Sequence, residues 1–134
     1  MNTNVFSNHI SSNKIKINDP FWNQKIELVR NEVIPYQYEA LHDRIDGAEK
    51  SYVTENFIKA GRVAEIIRNG GETPVYPTDK WYYSDDNSDE NAFHGWAFQD
   101  SDIYKWLEAV GFSLINKSDD ELEKKADKII TVSE

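Results

Sequence analysis

Residues 93–108 read F-H-G-W-A-F-Q-D-S-D-I-Y-K-W-L-E. This stretch contains the end of a predicted loop and the start of a predicted helix. From Ile103 onward, apolar residues recur at three- and four-residue spacing, which predicts an amphipathic helix from Asp100 or Ser101 to Asn116. Its inward positions are Ile103, Trp106, Leu107, Val110 and Leu114. We therefore expect this helix to contribute one apolar face to the core.

The same sixteen residues contain five aromatic side chains, one His, one Gln and two Asp. Aromatic rings stack on the C–H faces of sugars, while carboxylates and amides hydrogen-bond sugar hydroxyls. This density of groups is what a carbohydrate-facing surface needs. The alternative is that the rings belong to the core and the carboxylates only begin a helix. The residues themselves leave both interpretations open.

A long helix with an internal proline is predicted towards the N-terminus. Asp19 can cap free N–H groups and Pro20 suits the first helical position, so the helix begins there and runs to about Ile45. Pro35 removes one backbone hydrogen bond and clashes with the preceding turn. We therefore predict a kink or a break at Pro35.

Two more helices are predicted on either side of residues 93–108. One runs from Thr54 to about Asn69, and the other opens at a capping box, Ser118–Glu121. The inward positions are Phe57, Ala60, Gly61, Ala64 and Ile67 in the first, widened by Val63 and Ile66, and Leu122, Ala126, Ile129 and Ile130 in the second. No stop signal follows the last periodic residue, which indicates a chain cut from something longer.

Residues 1–134 are predicted to form a single unit of mainly α class, built from antiparallel helical hairpins. Residues 14–17 alternate between Lys and Ile, which predicts one short N-terminal strand. Residues 1–13 are expected to be flexible, and residues 70–93 to form a long acidic loop.

Composition excludes several classes of function. There is no Cys, which rules out disulfides, thiolate catalysis and Cys-ligated zinc within the chain. A net charge of −9 without a basic patch argues against nucleic-acid partners. No apolar stretch is long enough to span a membrane. The N-terminal residues lack the basic and apolar regions of a secretory signal, so a cytoplasmic location is expected.

No self-sufficient catalytic or metal site is recognisable from residue spacing. Asp85–Asp89 matches the first half of a calcium loop, but Glu90 and Trp96 occupy the positions that require Gly and Glu. The three histidines lack the spacing of a helical zinc motif. Asp100 and Asp102 point to different faces of a helix, so they cannot flank one glycosidic bond as acid and base. Helix capping is the expected role of at least one of them.

Three segments together resemble glycoside hydrolase family 127, the β-L-arabinofuranosidase-type enzymes. Residues 20–22 (P-F-W) lead into residues 33–39 (V-I-P-Y-Q-Y-E), and the helix at residues 56–68 is similar to the N-F-x-x-A-x-G segment of the family. Residues 93–108 supply the third and most unusual segment. Their order and approximate spacing also match, and the resemblance covers nearly the whole chain.

The resemblance implies that the chain is the first part of a catalytic (α/α)6 barrel in a glycosidase several times longer. The short strand would then pair with β regions absent from this chain. The family hydrolyses terminal β-L-arabinofuranosides of plant-type glycans, with a zinc-bound cysteine proposed as nucleophile and a glutamate as acid/base. This chain has no Cys, and none of its Glu residues matches the family's catalytic or metal-binding ones. The resemblance therefore implies zinc bound by residues absent here, and a chain that is inactive alone.

Three residues are predicted to contact substrate. Gln37 occupies the family position that faces the sugar subsite, and an amide both donates to and accepts from hydroxyls. The alternative is that Gln37 satisfies backbone groups freed by Pro35. Trp96 is a candidate for the cleft wall. Asp100 is expected first to cap its helix at the cleft floor and second to contact substrate.

The expected ligand is an arabinose-containing glycan. An enzyme fragment of this kind should expose an apolar face and associate with the remainder of the enzyme or with itself. The alternatives are a stand-alone helical module that binds carbohydrate, or an interaction protein whose acidic residues 79–90 meet a basic partner.

Overall fold

A computed structural model describes residues 10–72, 82–83, 93–96 and 98–133. The helical elements are a 3-10 turn at Ser12–Lys14, α1 at Pro20–Leu28, a π-helical turn at Val29–Val33, α2 at Ile34–Leu41, α3 at Val53–Arg68, α4 at Asp100–Asn116 and α5 at Asp120–Ser133. The strands β1 (Tyr82–Tyr83) and β2 (Gly95–Trp96) pair antiparallel. The mainly helical class is therefore confirmed.

The short strand predicted at residues 14–17 is wrong. Lys14 ends the 3-10 turn, and residues 15–19 belong to no helix or strand. Ile15 keeps extended dihedral angles, but no described strand lies beside it. An extended segment forms a strand only when a partner satisfies its backbone groups, so alternation alone was insufficient.

Several predictions concern residues outside the described ranges. They include the flexibility of residues 1–9, most of the acidic loop at residues 70–93, and the partial calcium-loop match at Asp85–Asp89. Among the described helices, none is both long and apolar enough to cross a bilayer.

The helix that contains Pro35 is distorted rather than broken. Asp19 caps α1 as predicted, because its carboxylate accepts the N–H of Trp22 at 3.0 Å. The π-helical turn then precedes Pro35 and accommodates a residue that has no N–H to donate. The helix ends at Leu41, before the predicted Ile45, because the chain next adopts a positive φ of 57° at Asp43.

The core forms around α4, whose buried residues are those predicted. Ile103, Trp106 and Val110 are buried, and α2, α3 and α5 pack against them. The other core residues are Ile34, Leu41, Val53, Leu122, Ala126 and Ile129. The indole N–H of Trp106 donates to the carbonyl of Ile34 at 3.0 Å, which satisfies its one polar group inside the core.

The buried face of α3 differs from the predicted one. The ends of this helix lie within one residue of the prediction, but its buried residues are Val53, Lys59 and Val63. The positions predicted to face inward that lie exposed instead are Ala60, Gly61, Ala64, Ile66 and Ile67. Ala and Gly offer little apolar area to bury, so their positions do not determine the orientation of the helix.

Arg30 connects the π-helical turn to the connection between α4 and α5. Its guanidinium, which is 7% exposed, donates to the carbonyls of Ser113 and Lys117 at 3.0 and 2.9 Å. It also pairs with the carboxylate of Asp119 at 3.1 Å. Asp119 in turn accepts the N–H of Leu122 at 3.1 Å and so caps α5, one residue later than the predicted Ser118.

Candidate functional site

Two cavities lie on different sides of the first turns of α4. The Gln37 cavity, of about 480 Å³, is formed by α2, the loop before α3, and α4, and its polar lining comes from Gln37, Glu49, Ser51, Asp102 and Lys105. The Trp96 cavity, of about 360 Å³, lies between α3 and the segment that leads into α4, and includes Asn56, Phe57, Trp96, Gln99 and Asp100. The predicted substrate-binding residues therefore divide: Trp96 and Asp100 share one cavity, and Gln37 lies in the other.

The two aspartates at the start of α4 face different cavities. Asp100 lines the Trp96 cavity and Asp102 lines the Gln37 cavity, which confirms that residues two apart point to different faces. The predicted capping role is wrong, because no side chain caps the start of α4. Asp102 instead pairs with Lys105 at 3.1 Å. Within the described ranges, the carboxylate of Asp100 has neither a hydrogen bond nor an ion pair, so it is available to a ligand.

Gln37 lies exposed on α2, at the edge of its cavity. Its side-chain amide makes no hydrogen bond to any described residue. It therefore does not satisfy backbone groups freed by Pro35, which was the structural alternative. Its neighbours across the cavity include the ion-paired Asp102 and Lys105 and the edge of Trp106. An amide of this kind beside charged groups suits a neutral ligand that carries hydroxyl groups.

The loop from residue 42 to 52 holds one wall of the Gln37 cavity in place. The carboxylate of Asp43 accepts the backbone N–H groups of Ser51 and Tyr52. The hydroxyl of Thr54 donates to the carbonyl of Leu41 at 2.8 Å, which joins the end of α2 to the start of α3. These bonds position Glu49 and Ser51 against the cavity. The spacing of apolar residues did not predict this loop, because an Asp at positive φ is a local feature of turns and leaves no periodic pattern.

Asn56 fixes the segment before α4 against α3. Its side-chain oxygen accepts the N–H of His94 at 3.0 Å, and its NH₂ group donates to the carbonyl of His94 at 2.8 Å. The ring of His94 is buried and lies 5.4 Å from the ring of Tyr52, centroid to centroid. Asn56 belongs to the segment that carried the family resemblance, but its partner 38 residues away is not visible in the sequence pattern.

A charged pair on α3 lies one turn from Asn56. The ammonium of Lys59 contacts the carboxylate of Glu55 at 2.8 Å, although the Lys59 side chain is almost fully buried. The hydrogen bond from Lys59 lowers the pKa of Glu55 below its ordinary value, and the nearby positive charge adds to this effect. The carboxylate of Glu55 is therefore ionised at neutral pH, and its contact with Lys59 fixes this end of α3.

Trp96 stands at the outer edge of its cavity. Its indole is 44% exposed and stacks on the ring of Phe98, with a centroid distance of 5.8 Å and an interplanar angle of 25°. The cavity behind it is lined by Phe57, Phe93 and Asn56. Trp96 therefore presents a flat apolar surface at the cavity entrance, as expected for a residue of a cleft wall.

The residues present do not fit the zinc ion that the family resemblance implies. The chain contains no Cys, and the described residues include no group of three or more His, Asp or Glu side chains that could hold a metal ion. The histidine His94 is buried, and its backbone N–H and carbonyl are taken by Asn56. Within the described residues, the two cavities therefore offer groups that can bind a ligand but no set of zinc ligands.

Comparison with known proteins agrees with the resemblance seen in the sequence. The model of the GH127 catalytic domain of β-L-arabinofuranosidases matches residues 14–134. A non-reducing end β-L-arabinofuranosidase of Bifidobacterium longum subsp. longum is 30% identical over 119 residues, which cover 87% of this chain and 16% of that protein. The crystal structure of a GH127 β-L-arabinofuranosidase from Geobacillus stearothermophilus T6 matches with a TM-score of 0.61 and 43% identity, over 87% of this chain and 14% of that one.

Proposed function

The chain belongs to the GH127 β-L-arabinofuranosidase catalytic-domain family, and on that premise we propose that it supplies part of the sugar-binding cleft of a glycoside hydrolase. The relatives are much longer, since the chain spans 16% of one and 14% of the other. We propose that its helices occupy the beginning of an (α/α)6 barrel. The proposed reaction of the whole enzyme is release of non-reducing end β-L-arabinofuranose from a glycan, which is the activity named for the Bifidobacterium relative.

The observation that carries this proposal is the position of Gln37. Its amide faces a cavity of about 480 Å³, makes no hydrogen bond within the described ranges, and lies across from Asp102 and Lys105. An amide can donate to one hydroxyl of a sugar ring and accept from the next. Gln37 is the residue that we assign to the terminal arabinofuranose. Trp96 and Asp100 are proposed to contact carbohydrate in the neighbouring cavity.

The chemical step itself is assigned to residues outside this chain. The sequence lacks Cys, and Asp100 and Asp102 face different cavities, so these two carboxylates cannot act as an opposed acid and base. We propose that the zinc ligands and the catalytic groups come from the remainder of the enzyme, and that the chain alone binds sugar without cleaving it. The exposed apolar face of α1 is the surface that we assign to contact with that remainder, with self-association as the alternative.

Titration calorimetry with methyl β-L-arabinofuranoside tests the role of Gln37. We expect the chain to bind this sugar weakly, and Gln37→Ala to weaken binding about tenfold because hydrogen bonds to the ring are lost. The matched control is Gln24→Ala, which removes an exposed amide on α1 away from the cavity and should leave affinity unchanged. Equal affinities for Gln37→Ala and the unaltered chain would contradict the assignment.

A further inference from the structure

We propose that the Trp96 cavity is a second carbohydrate subsite, which binds a neutral sugar unit next to the one held at Gln37. The inference rests on the proposed function, because both units would belong to the same glycan. The cavity volume of about 360 Å³ lies within the range of roughly 300–1,000 Å³ typical of small-molecule sites. Asp100 and Asp102 lie on different sides of the same helical turn, so one glycan could contact both cavities across it.

Gln99 supplies the hydrogen-bond donors of this subsite. Its side-chain oxygen accepts the backbone N–H of Trp96 at 3.0 Å. This bond fixes which end of the amide is the oxygen and therefore which end is the NH₂ donor group. Gly95 has a positive φ of 77°, and a Cβ at that position would collide with the Gln99 amide. The amide is therefore held over Gly95 in one orientation. Its NH₂ group donates to no residue in the described ranges and lines the cavity.

Asp100 and Trp96 supply the acceptor and the stacking surface. The carboxylate of Asp100 lines the same cavity and, as described above, has no partner within the described residues. The half-exposed indole of Trp96 is supported from one side by Phe98. Fixed donors and a free acceptor can hydrogen-bond adjacent hydroxyls of a sugar, and a flat ring can stack on its C–H face. The negative charge of Asp100 disfavours anionic ligands, which selects a neutral sugar.

Asn56 shapes this cavity. The oxygen and the NH₂ group of its side chain each make a hydrogen bond to the backbone of His94, which fixes the amide in place. It holds the segment from Phe93 to Trp96 against α3 and so sets the distance between the indole and the helix. Among the described residues that line the cavity, we assign the recognition of the sugar to Trp96, Gln99 and Asp100.

The side-chain amide signals of Gln37 and Gln99 report the two cavities separately in ¹⁵N–¹H NMR spectra of the 134-residue chain. The probes are methyl β-L-arabinofuranoside and a disaccharide with a terminal β-L-arabinofuranose. We expect both probes to shift the Gln37 signal, and the disaccharide also to shift the Gln99 amide and the Trp96 indole signals. The Gln24 amide, on α1, serves as the internal control and should not move.

Gln99→Glu is the decisive variant. Glutamate keeps an oxygen for the N–H of Trp96 but loses both donors and places a second carboxylate beside Asp100. We expect disaccharide affinity to fall about tenfold with monosaccharide affinity unchanged. An unchanged melting temperature and unshifted backbone amide signals in α3 and α5 would show that the variant keeps its fold. Unchanged disaccharide affinity in that folded variant would overturn the second subsite.

The two proposals fail in different ways. If Gln37 responds and Gln99 does not, the second subsite is overturned and the proposed function stands. If Gln99 responds and Gln37 does not, the second subsite is supported and the assignment of Gln37 is overturned. If neither amide responds to millimolar disaccharide, both are overturned.

Discussion

Helices α1 and α4 carry similar apolar faces, yet only α4 buries its own. Trp106 on α4 is 2% exposed, whereas Trp22 on α1 is 57% exposed and no residue of α1 is buried. Trp22, Ile26 and Val29 recur at three- and four-residue spacing, as the buried residues of α4 do. The difference shows that periodicity identifies a face that can be buried, while burial itself depends on the neighbouring surfaces that the chain provides.

The helices that pack beside each of them explain why α4 is buried and α1 is exposed. Helix α4 is contacted by α2, α3 and α5, whereas α1 meets α4 only across an open groove of about 310 Å³. Trp22, Ile26 and Val29 line one side of this groove and Phe112 lines the other. An uncovered apolar surface of this kind marks an interaction site. In a family whose members are several times longer, the remainder of the catalytic domain is the partner that we propose.

Replacement of a tryptophan in each helix should give the largest contrast. We expect Trp106→Ala to lower the free energy of unfolding by roughly 3–5 kcal/mol, because it opens a cavity and removes the indole N–H that donates to the carbonyl of Ile34. Trp22→Ala should change it by about 0.5 kcal/mol or less, since its side chain is mostly in water already. Urea denaturation measures both. Similar losses in the two variants would mean that α1 is packed in solution.

Removal of the Arg30 side chain should have the next largest effect. Arg30→Met keeps the aliphatic length but removes the guanidinium donor from the carbonyls of Ser113 and Lys117, although the N–H of Lys117 still donates to Ser113. We expect a loss of roughly 2–3 kcal/mol, because bonds to a charged group stabilise more than neutral ones. Arg62→Met on the exposed face of α3 is the matched control and should be nearly neutral. Equal melting temperatures for the two variants would show that the link between the π-helical turn and α4–α5 is dispensable.

The cap of α5 should make stability depend on pH in the acid range. The N–H of Leu122, with Arg30 close by, holds the pKa of Asp119 below its ordinary value of 3.8. A lowered folded pKa stabilises the protein above the unfolded pKa, and this contribution is lost as the pH falls through the folded value. We therefore expect Asp119→Asn to destabilise at pH 7 and to match the unaltered chain near pH 2.

Urea midpoints from pH 7 to pH 2 measure this difference. The carboxyls of Glu39, Glu55 and Glu121 also have lowered pKa values, so the variant and the unaltered chain should both lose stability in acid. The difference between their urea midpoints is therefore the quantity that reports on Asp119. A gap that stays constant over this range would contradict the role assigned to the Asp119 carboxylate.

Local patterns predicted most of the secondary structure. The ends of α3 and α4, the buried face of α4 and the cap at Asp19 all follow from spacing and capping chemistry over a few residues. The buried face of α3 was wrong because Ala60, Gly61 and Ala64 were counted as inward positions, and because Val53 lay before the predicted start of the helix at Thr54. The strand at residues 14–17 was wrong because pairing depends on a partner that spacing does not reveal.

The site was less predictable because its geometry depends on distant contacts. Gln37, Trp96 and Asp100 were predicted as one substrate-binding set, but the fold divides them between two cavities. The bonds that shape these cavities join Asn56 to His94 and Thr54 to Leu41, which are 38 and 13 residues apart. Periodicity contains no information about such pairs. The separation of Asp100 from Asp102 was predictable, since it depends only on helical geometry.

Native-state hydrogen exchange on the 134-residue chain compares α1 and α4 without altering either. Buried helices open only with global unfolding, whereas helices with few buried contacts open locally. We expect the amides of residues 103–110 to exchange slowest of all, and those of residues 23–28 to exchange orders of magnitude faster. Equal protection of the two segments would contradict the uncovered state of α1 and, with it, the surface that we assign to the remainder of the enzyme.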